Sequence, residues 1–241
     1  MKKLVSLSLF LSLTLLSCST DEDIENITPQ SETSEILNYK KNQHNWNPEN
    51  SSNPYDNAGK LYLLVLDQYY VNASPTATPS QIVSDIETIA NGFTEFSPMK
   101  NSAYLPIDYT TINWILNNGN SYHITVTNNN SLSTTAKNQL VTLSTNLNLM
   151  LDTSATEKGI HDYIVGFEAT ILSNLTLTAN DKKTILTSTS IARHANYQRK
   201  KGRRWDIHHG ITGSILGDTE SMAKAITTAA STYAIGNNVA E

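Results

Sequence analysis

The chain of 241 residues carries a formal net charge of −5, from 17 basic and 22 acidic side chains. This acidic balance argues against a general nucleic-acid-binding protein, which needs an excess of positive charge. A single cysteine excludes an internal disulfide framework, because no second thiol can pair with it. The length suits one folded domain with flanking tails.

An export signal is predicted at the N-terminus, where Lys2 and Lys3 precede an apolar run from Leu4 to Leu16. A bilayer span needs about 20 apolar residues, so this shorter run behind basic residues is typical of a signal peptide. The stretch Leu15-Leu16-Ser17-Cys18 resembles the lipobox of bacterial lipoproteins. That resemblance implies removal of residues 1–17 and acylation of Cys18 with fatty acyl chains such as palmitate. The alternative is an ordinary signal peptide that contains a chance cysteine.

The residues after Cys18 refine this prediction. Ser19-Thr20-Asp21-Glu22-Asp23 is similar to the acidic export tag of surface lipoproteins of the Bacteroidota. The resemblance implies an outer-membrane lipoprotein, anchored through the lipid on Cys18 and exposed at the cell surface. A solvated acidic tether would use the same residues. We expect residues 18–52 to form a disordered tether, because low hydrophobicity with net negative charge does not offset the entropy of ordering.

Three helices are predicted in the first half of the folded region. Asn53-Pro54 indicates the start of the first, because asparagine is a good N-cap and proline suits the first helical position. Thr78 and Gln81 predict a capping box at the start of the second helix, and Gly92 indicates its end. A third helix is expected from about Leu105 to Asn117, where apolar residues recur at helical spacing.

The second half is also predicted to be helical, apart from its first segment. Ser121 to Thr127 alternates apolar and polar residues, which fits a short strand or an extended connection. With no partner strand predicted nearby, we expect a loop there. An amphipathic helix is predicted over Ala136–Leu151, a capping box at Ser154–Glu157 indicates the next, and Thr178 opens another that reaches about Ala192.

These elements predict an all-α fold, a bundle of about six or seven helices in all after the disordered N-terminal tether, with the helical bundle domain at residues 53–198. The stretches Asn53-Pro54-Tyr55-Asp56 and Ser190-Ile191-Ala192-Arg193, with a glycine-spaced tail, are similar to uncharacterised helical lipoproteins of flavobacteria. The resemblance implies a helical fold and an envelope location. It implies no activity for any residue.

A basic loop is predicted over residues 199–210, and it is unusual in an acidic chain. One hypothesis is an electrostatic dock for an anionic envelope component such as lipopolysaccharide phosphate, for nucleic acid or for an acidic protein partner. The predicted dock consists of Arg193, Arg199, Lys200, Lys201, Arg203, Arg204 and Trp205. Alternatives are a protease-sensitive hinge and a solvated loop without a ligand.

The remaining residues, 211–241, are predicted to form a Gly/Ala-rich C-terminal helix and tail. Gly213 and Gly217 have the spacing that allows close helix pairing, but charged residues follow at once and argue against a membrane-spanning helix. Asp218 is predicted to be the N-cap of a helix over Thr219 to Ala234. Its small-residue face suits packing on the bundle, on a second copy of the chain or on a membrane.

Motifs for catalysis are absent from the sequence. It contains no GxSxG, P-loop, GxGxxG or HExxH pattern, and the adjacent His208 and His209 lack the i, i+4 spacing of a zinc helix. We therefore expect no cofactor, no metal and no enzymatic activity. The leading hypothesis is a lipid-anchored helical protein that binds or assembles at the outer membrane. The alternatives are a membrane-active or toxin-like protein with a releasable C-terminal segment, and a metal-dependent hydrolase that joins His194, Asp206 and His208.

Overall fold

The computed structural model describes residues 46–118, 121–198, 205–218 and 220–238, and within these ranges all regular secondary structure is helical. This confirms the all-α prediction, but the described ranges hold nine α-helices rather than six or seven. The helices are α1 (Asp56–Asn72), α2 (Pro79–Asn91), α3 (Tyr109–Asn117), α4 (Ser121–Asn128), α5 (Thr134–Asp152), α6 (Glu157–Ser173), α7 (Ala179–Gln198), α8 (Trp205–Asp218) and α9 (Met222–Asn238). A short 3₁₀ turn, Ser97–Met99, lies between α2 and α3.

The segment predicted to be a loop, Ser121 to Thr127, is helix α4. Tyr122 and Val126 are four residues apart and both are buried, whereas Ile124 is 39% exposed. The alternating pattern was therefore misleading, because of its three apolar residues only the i, i+4 pair is buried. The phenolic hydroxyl of Tyr122 donates a hydrogen bond to the Leu140 carbonyl oxygen at 2.5 Å, which ties α4 to α5.

The prediction of one C-terminal helix capped by Asp218 was also wrong. Asp218 is the last residue of α8, and its buried carboxylate accepts a hydrogen bond from Thr184 Oγ1 at 2.6 Å. Lys183 Nζ lies 3.3 Å from the same carboxylate. The start of α9 is capped by Ser221 instead, whose Oγ accepts a hydrogen bond from the Lys224 amide at 3.1 Å.

Two of the predicted helix starts are confirmed. Thr78 and Gln81 form the capping box of α2. At α7 the Thr178 hydroxyl accepts from the Asp181 amide at 3.0 Å, and the Asp181 carboxylate accepts from the Thr178 amide at 3.0 Å. This reciprocal pair satisfies two backbone donors at the start of the helix.

Other helix starts lie a few residues from their predicted positions. Helix α1 begins at Asp56 rather than at Pro54, because the Asn53 side chain donates a hydrogen bond to Glu168 in the core. Helix α3 begins at Tyr109 with Asp108 as its N-cap. Helix α6 is capped by Thr156 rather than Ser154.

The core consists of two hydrophobic clusters with α7 between them. Helices α1, α2 and α9 supply most of the first cluster, and α5, α6 and α8 supply much of the second. Helix α7 contributes Ile191 and Ala195 to the first cluster and Ile185, Leu186 and Ala192 to the second. The predicted domain 53–198 is therefore not separate from the C-terminal helices, since α8 and α9 belong to the same core.

Helices α8 and α9 pack on each other through glycine. A Cβ atom added at Gly217 would lie 2.5 Å from the Ala225 nitrogen, and one at Gly213 would lie 3.2 Å from the Ala229 nitrogen. The pairings run in opposite directions along the two helices, so α8 and α9 form an antiparallel hairpin. Of the three alternatives for the small-residue face of the C-terminal helix, packing on the bundle is confirmed for α9. No helix within the described ranges combines the length and apolar character that crossing a bilayer requires.

Candidate functional site

The predicted anion dock has to be corrected at Arg193. This side chain is fully buried and cannot meet an external anion. Residues Arg199, Lys200, Lys201, Arg203 and Arg204 lie outside the described residues, as does the side chain of Trp205. Their segment joins the end of α7 at Gln198 to the start of α8.

Arg193 belongs to a buried polar network instead. Its Nε lies 3.1 Å from Glu168 Oε2, and its other nitrogens donate to the Pro48 carbonyl oxygen and to Asp56 Oδ1. Glu168 is also fully buried. Its carboxylate accepts further hydrogen bonds from Thr189 Oγ1 at 2.7 Å and from asparagine amides. A buried charge pair with its remaining hydrogen-bonding groups satisfied is suited to fixing a structure rather than to binding a ligand.

The same network holds a segment that we call the N-terminal strap, residues 46–55. Asn50 Nδ2 and Asn53 Nδ2 donate to the Glu168 carboxylate at 2.7 and 2.8 Å. At the start of the strap the Trp46 ring lies 4.8 Å from the His161 ring, measured between centroids. The tether predicted over residues 18–52 therefore cannot extend to residue 52, because residues from Trp46 onward pack on the bundle.

The histidines proposed for a hydrolase lie against different helices. His194 Nδ1 lies 2.9 Å from the Ser190 carbonyl oxygen and close to Gly59 of α1. His208 lies against α4, with its ring 6.2 Å from that of Tyr122. The side chain of Asp206 is outside the described residues. No cluster of three metal-ligating side chains occurs among the residues that the structure describes.

A cleft of about 550 Å³ lies between α3 and α4, with one wall from α8, and we call it the α3–α4 cleft. This volume is within the range of small-ligand sites. Its described lining carries no charged side chain, and seven of its ten residues are threonine, asparagine or serine, although most of the surface that they expose to the cleft is apolar. The lining residues are Thr110, Thr111, Trp114, Ile124, Thr125, Asn128, Asn129, Asn130, Ser131 and Leu216.

Two side chains give the α3–α4 cleft its chemistry. Trp114 is half-buried and provides a flat aromatic surface. Thr125 is buried, and its hydroxyl has no hydrogen-bond partner among the described groups. Beside it, Asn129 Oδ1 accepts from the Ser131 amide at 2.9 Å, which fixes the turn after α4. The cleft therefore combines an aromatic platform with preorganised neutral polar groups.

A second, open cavity of about 300 Å³ lies beside the N-terminal strap, and we call it the strap cavity. The strap forms one side, α1 forms another through Leu63 and Leu64, and α7 contributes His194 and Tyr197. At its edge Lys60 Nζ and Glu49 Oε1 are 3.7 Å apart, and both side chains are about half exposed.

Sequence reasoning missed both cavities. The one available signal for the α3–α4 cleft was the run Asn128-Asn129-Asn130, which closely follows the tryptophan-containing helix α3. The chain matches no protein-family model. It also matches no curated protein and no solved structure.

Proposed function

We propose that this protein is a lipid-anchored, non-enzymatic binding protein of the outer membrane. Its α3–α4 cleft takes a neutral, polyhydroxylated ligand such as part of an oligosaccharide. The observation that carries this proposal is the lining of the cleft, which joins Trp114 to a set of threonine, serine and asparagine side chains without a charge.

The chemistry of that lining matches a sugar. Hydroxyl and amide groups both donate and accept hydrogen bonds, as sugar hydroxyls do. The C–H face of a sugar ring is apolar and can pack on the half-buried Trp114 ring. Charged ligands are disfavoured, because the described lining offers no opposite charge to offset their desolvation.

The anchor is supported by the sequence at Cys18 and is compatible with the position of the strap. Twenty-seven residues separate Cys18 from Trp46, where the described body begins. A chain of that length can span at most about 100 Å when fully extended. The cleft could therefore meet ligands well away from the lipid surface while the acylated cysteine stays in the membrane.

A binding assay with matched tryptophan variants tests the ligand. The chain from residue 19 onward, which keeps every described residue, is titrated with neutral hexasaccharides of glucose and of N-acetylglucosamine by calorimetry. We expect one of them to bind, and Trp114→Ala to weaken binding at least about tenfold because the stacking surface is lost. Trp46→Ala, which removes a tryptophan from the strap, should leave the affinity unchanged. Equal affinity in Trp114→Ala, or no binding of either sugar, would contradict the proposal.

Cell fractionation tests the anchor separately. We expect the wild-type chain in the outer-membrane fraction and the Cys18→Ala variant outside it, because no thiol remains to be acylated. Protease treatment of intact cells then distinguishes an outward orientation from a periplasmic one. A Cys18→Ala protein that still sediments with the outer membrane would refute the lipid anchor.

A second candidate function is membrane activity of the α8–α9 hairpin. Almost every described side chain of α9 is buried, and alanine, threonine and serine predominate among them. Cleavage at Lys200-Lys201 would separate the α8–α9 hairpin from the rest of the chain, against which it is now buried. A dye-release assay on anionic liposomes with the peptide 205–241 tests this, and no release at high peptide concentration would eliminate it.

A further inference from the structure

The strap cavity contains a polar group that the proposed sugar-binding function does not use. His194 is 1% exposed and lies in the wall of this cavity. Its Nδ1 lies 2.9 Å from the Ser190 carbonyl oxygen. A carbonyl oxygen can only accept, so Nδ1 carries the proton in this hydrogen bond.

The other ring nitrogen of His194 is therefore an acceptor. Burial lowers the pKa of His194 to about 4, and the positive charge of Arg193 acts in the same direction. The ring is neutral near pH 7, and Nε2 holds a lone pair. The contact of Nδ1 with Ser190 is the hydrogen bond that the described residues give this ring, and His194 lines the strap cavity, so Nε2 is the ring atom left to meet a ligand there.

The remaining walls of the strap cavity are mainly apolar and aromatic. Leu63 and Leu64 line it from α1, and the Trp46 and Tyr197 rings meet edge to face with centroids 5.1 Å apart. Lys60 and Glu49 lie at the exposed edge and form an ion pair with each other. A ligand that suits this site is small, flat and uncharged, with one donor for the acceptor nitrogen.

We propose that the strap cavity binds a small neutral aromatic molecule that carries one hydroxyl or N–H donor. Its ring packs between Leu63, Leu64 and the Trp46–Tyr197 pair, and its donor bonds to His194 Nε2. The volume of about 300 Å³ admits a molecule of one or two rings. This site is separate from the α3–α4 cleft and does not depend on its ligand.

The cavity is preformed, because the strap that forms one side of it is fixed independently of any ligand. The Pro48 carbonyl oxygen accepts from Arg193, and Asn50 and Asn53 donate to Glu168. Binding therefore needs little reorganisation of the protein, which favours affinity. An occupied cavity would in turn hold the strap more firmly on the bundle.

A pair of probes that differ in one hydrogen-bond donor tests the proposal. Phenol and anisole have similar shapes, but only phenol can donate to His194 Nε2. The chain from residue 19 onward is titrated with each probe while the histidine ring nitrogens and the indole signals are followed by NMR. We expect phenol to shift the His194 Nε2 and Trp46 signals and to bind roughly three- to tenfold more tightly than anisole, which is the effect of one net hydrogen bond.

Two variants locate the binding site. His194→Phe removes the acceptor and should abolish the preference for phenol. Because His194 is buried and this variant could misfold, Leu63→Trp fills the cavity from its partly exposed side and should weaken both probes. Leu149→Trp, at a 61% exposed position of α5, is the matched control and should change neither affinity.

Equal binding of phenol and anisole would overturn the hydrogen bond to His194. Probe-induced NMR shifts that persist in Leu63→Trp would overturn the proposal that the cavity is a binding site. So would the absence of a shift in the His194 and Trp46 signals with either probe. Loss of sugar binding in Trp114→Ala has no bearing on these outcomes, so the two proposals fail independently.

Discussion

Arg193 and Glu168 form an ion pair in which both side chains are fully buried, with Arg193 Nε 3.1 Å from Glu168 Oε2. The pair joins α6 to α7, and through Asn50 and Asn53 it also fixes the N-terminal strap. The strap, two helices and the start of α1 at Asp56 thus meet at one guanidinium group.

Arg193→Met should destabilise the protein by about 3–5 kcal/mol, because Glu168 is left as a buried carboxylate without its charge partner. The free energy of unfolding from urea titration measures this effect. In the double variant Arg193→Met/Glu168→Leu the loss should be smaller than the sum of the two single losses, since neither buried charge remains.

Lys158 provides the control for this charge deletion. Its Nζ lies 2.6 Å from Asp162, but both side chains are more than half exposed. Lys158→Ala should therefore cost no more than about 0.5 kcal/mol. Equal losses in Arg193→Met and Lys158→Ala would mean that the buried network does not hold the strap and helices together.

Glycine at position 217 should be indispensable to the α8–α9 hairpin. An added Cβ would lie 2.5 Å from backbone atoms of Lys224 and Ala225, which cannot move without shifting α9. Gly217→Ala should cost about 3 kcal/mol by overpacking. Thermal or urea unfolding measures the change.

Gly166 is the matched control on α6. A Cβ there would meet nothing within 4 Å. Gly166→Ala should stabilise the protein by about 0.5–1 kcal/mol, because alanine is the better helix former. If Gly217→Ala were equally harmless, the close approach of α8 to α9 would be wrong.

Stability should fall as the pH drops below about 6.5. Burial lowers the pKa of His194 to about 4, and that of His208 to about 4 with help from nearby His209 and His123. An unfolded histidine titrates near pH 6.5. Between these values the unfolded chain binds protons that the folded protein excludes, so the free energy of unfolding decreases with falling pH.

The expected loss from His194 alone is about 3 kcal/mol once the pH reaches its folded pKa. Urea titrations from pH 7.5 down to pH 4.5 measure the slope, and His194→Gln should flatten it. The titration of Asp181 does not mask the effect. Burial raises the pKa of Asp181, but hydrogen bonds from Ser133 and Thr178 lower it below its usual value. The contribution of Asp181 to stability is therefore lost only below about pH 4. A pH-independent stability would contradict the neutral, buried histidines.

Much of the helical fold could be predicted because its signals are local. Thr78 and Thr178 form the capping arrangements that their sequence spacing indicates. Leu140, Leu143 and Leu147 share one buried face of α5, as helical periodicity requires. Helix α4 was missed because an eight-residue helix is too short to show a clear helical period. Its exposed Ile124, between Tyr122 and Val126, also produced the alternation of apolar and polar residues that is typical of a strand.

The candidate sites could not be predicted in the same way, because they depend on residues far apart in sequence. Arg193 was grouped with the basic residues that follow it, whereas its partner Glu168 lies 25 residues away on another helix. Charge clustering along the chain does not show which charges are buried. The α3–α4 cleft also needs Leu216 of α8, whose position depends on the packing of the hairpin.

Thr125 provides a last test, which links stability to the proposed function. Its buried hydroxyl in the wall of the α3–α4 cleft has no described partner, so it pays a desolvation cost in the free protein. Thr125→Val keeps the shape and removes that cost, and should raise the free energy of unfolding by about 1 kcal/mol. It should also weaken the binding of a sugar that hydrogen-bonds to this hydroxyl.

The reciprocal change on the same helix is the control for Thr125→Val. Val126 is fully buried in the core and is not among the residues that line the cleft. Val126→Thr buries a new hydroxyl and should lower stability by about 1–3 kcal/mol while the sugar affinity of the folded protein stays the same. A Thr125→Val protein that is less stable than wild type would show that the hydroxyl is satisfied in the free state. Greater stability together with weaker sugar binding would instead identify Thr125 as a residue kept for its ligand at the expense of the fold.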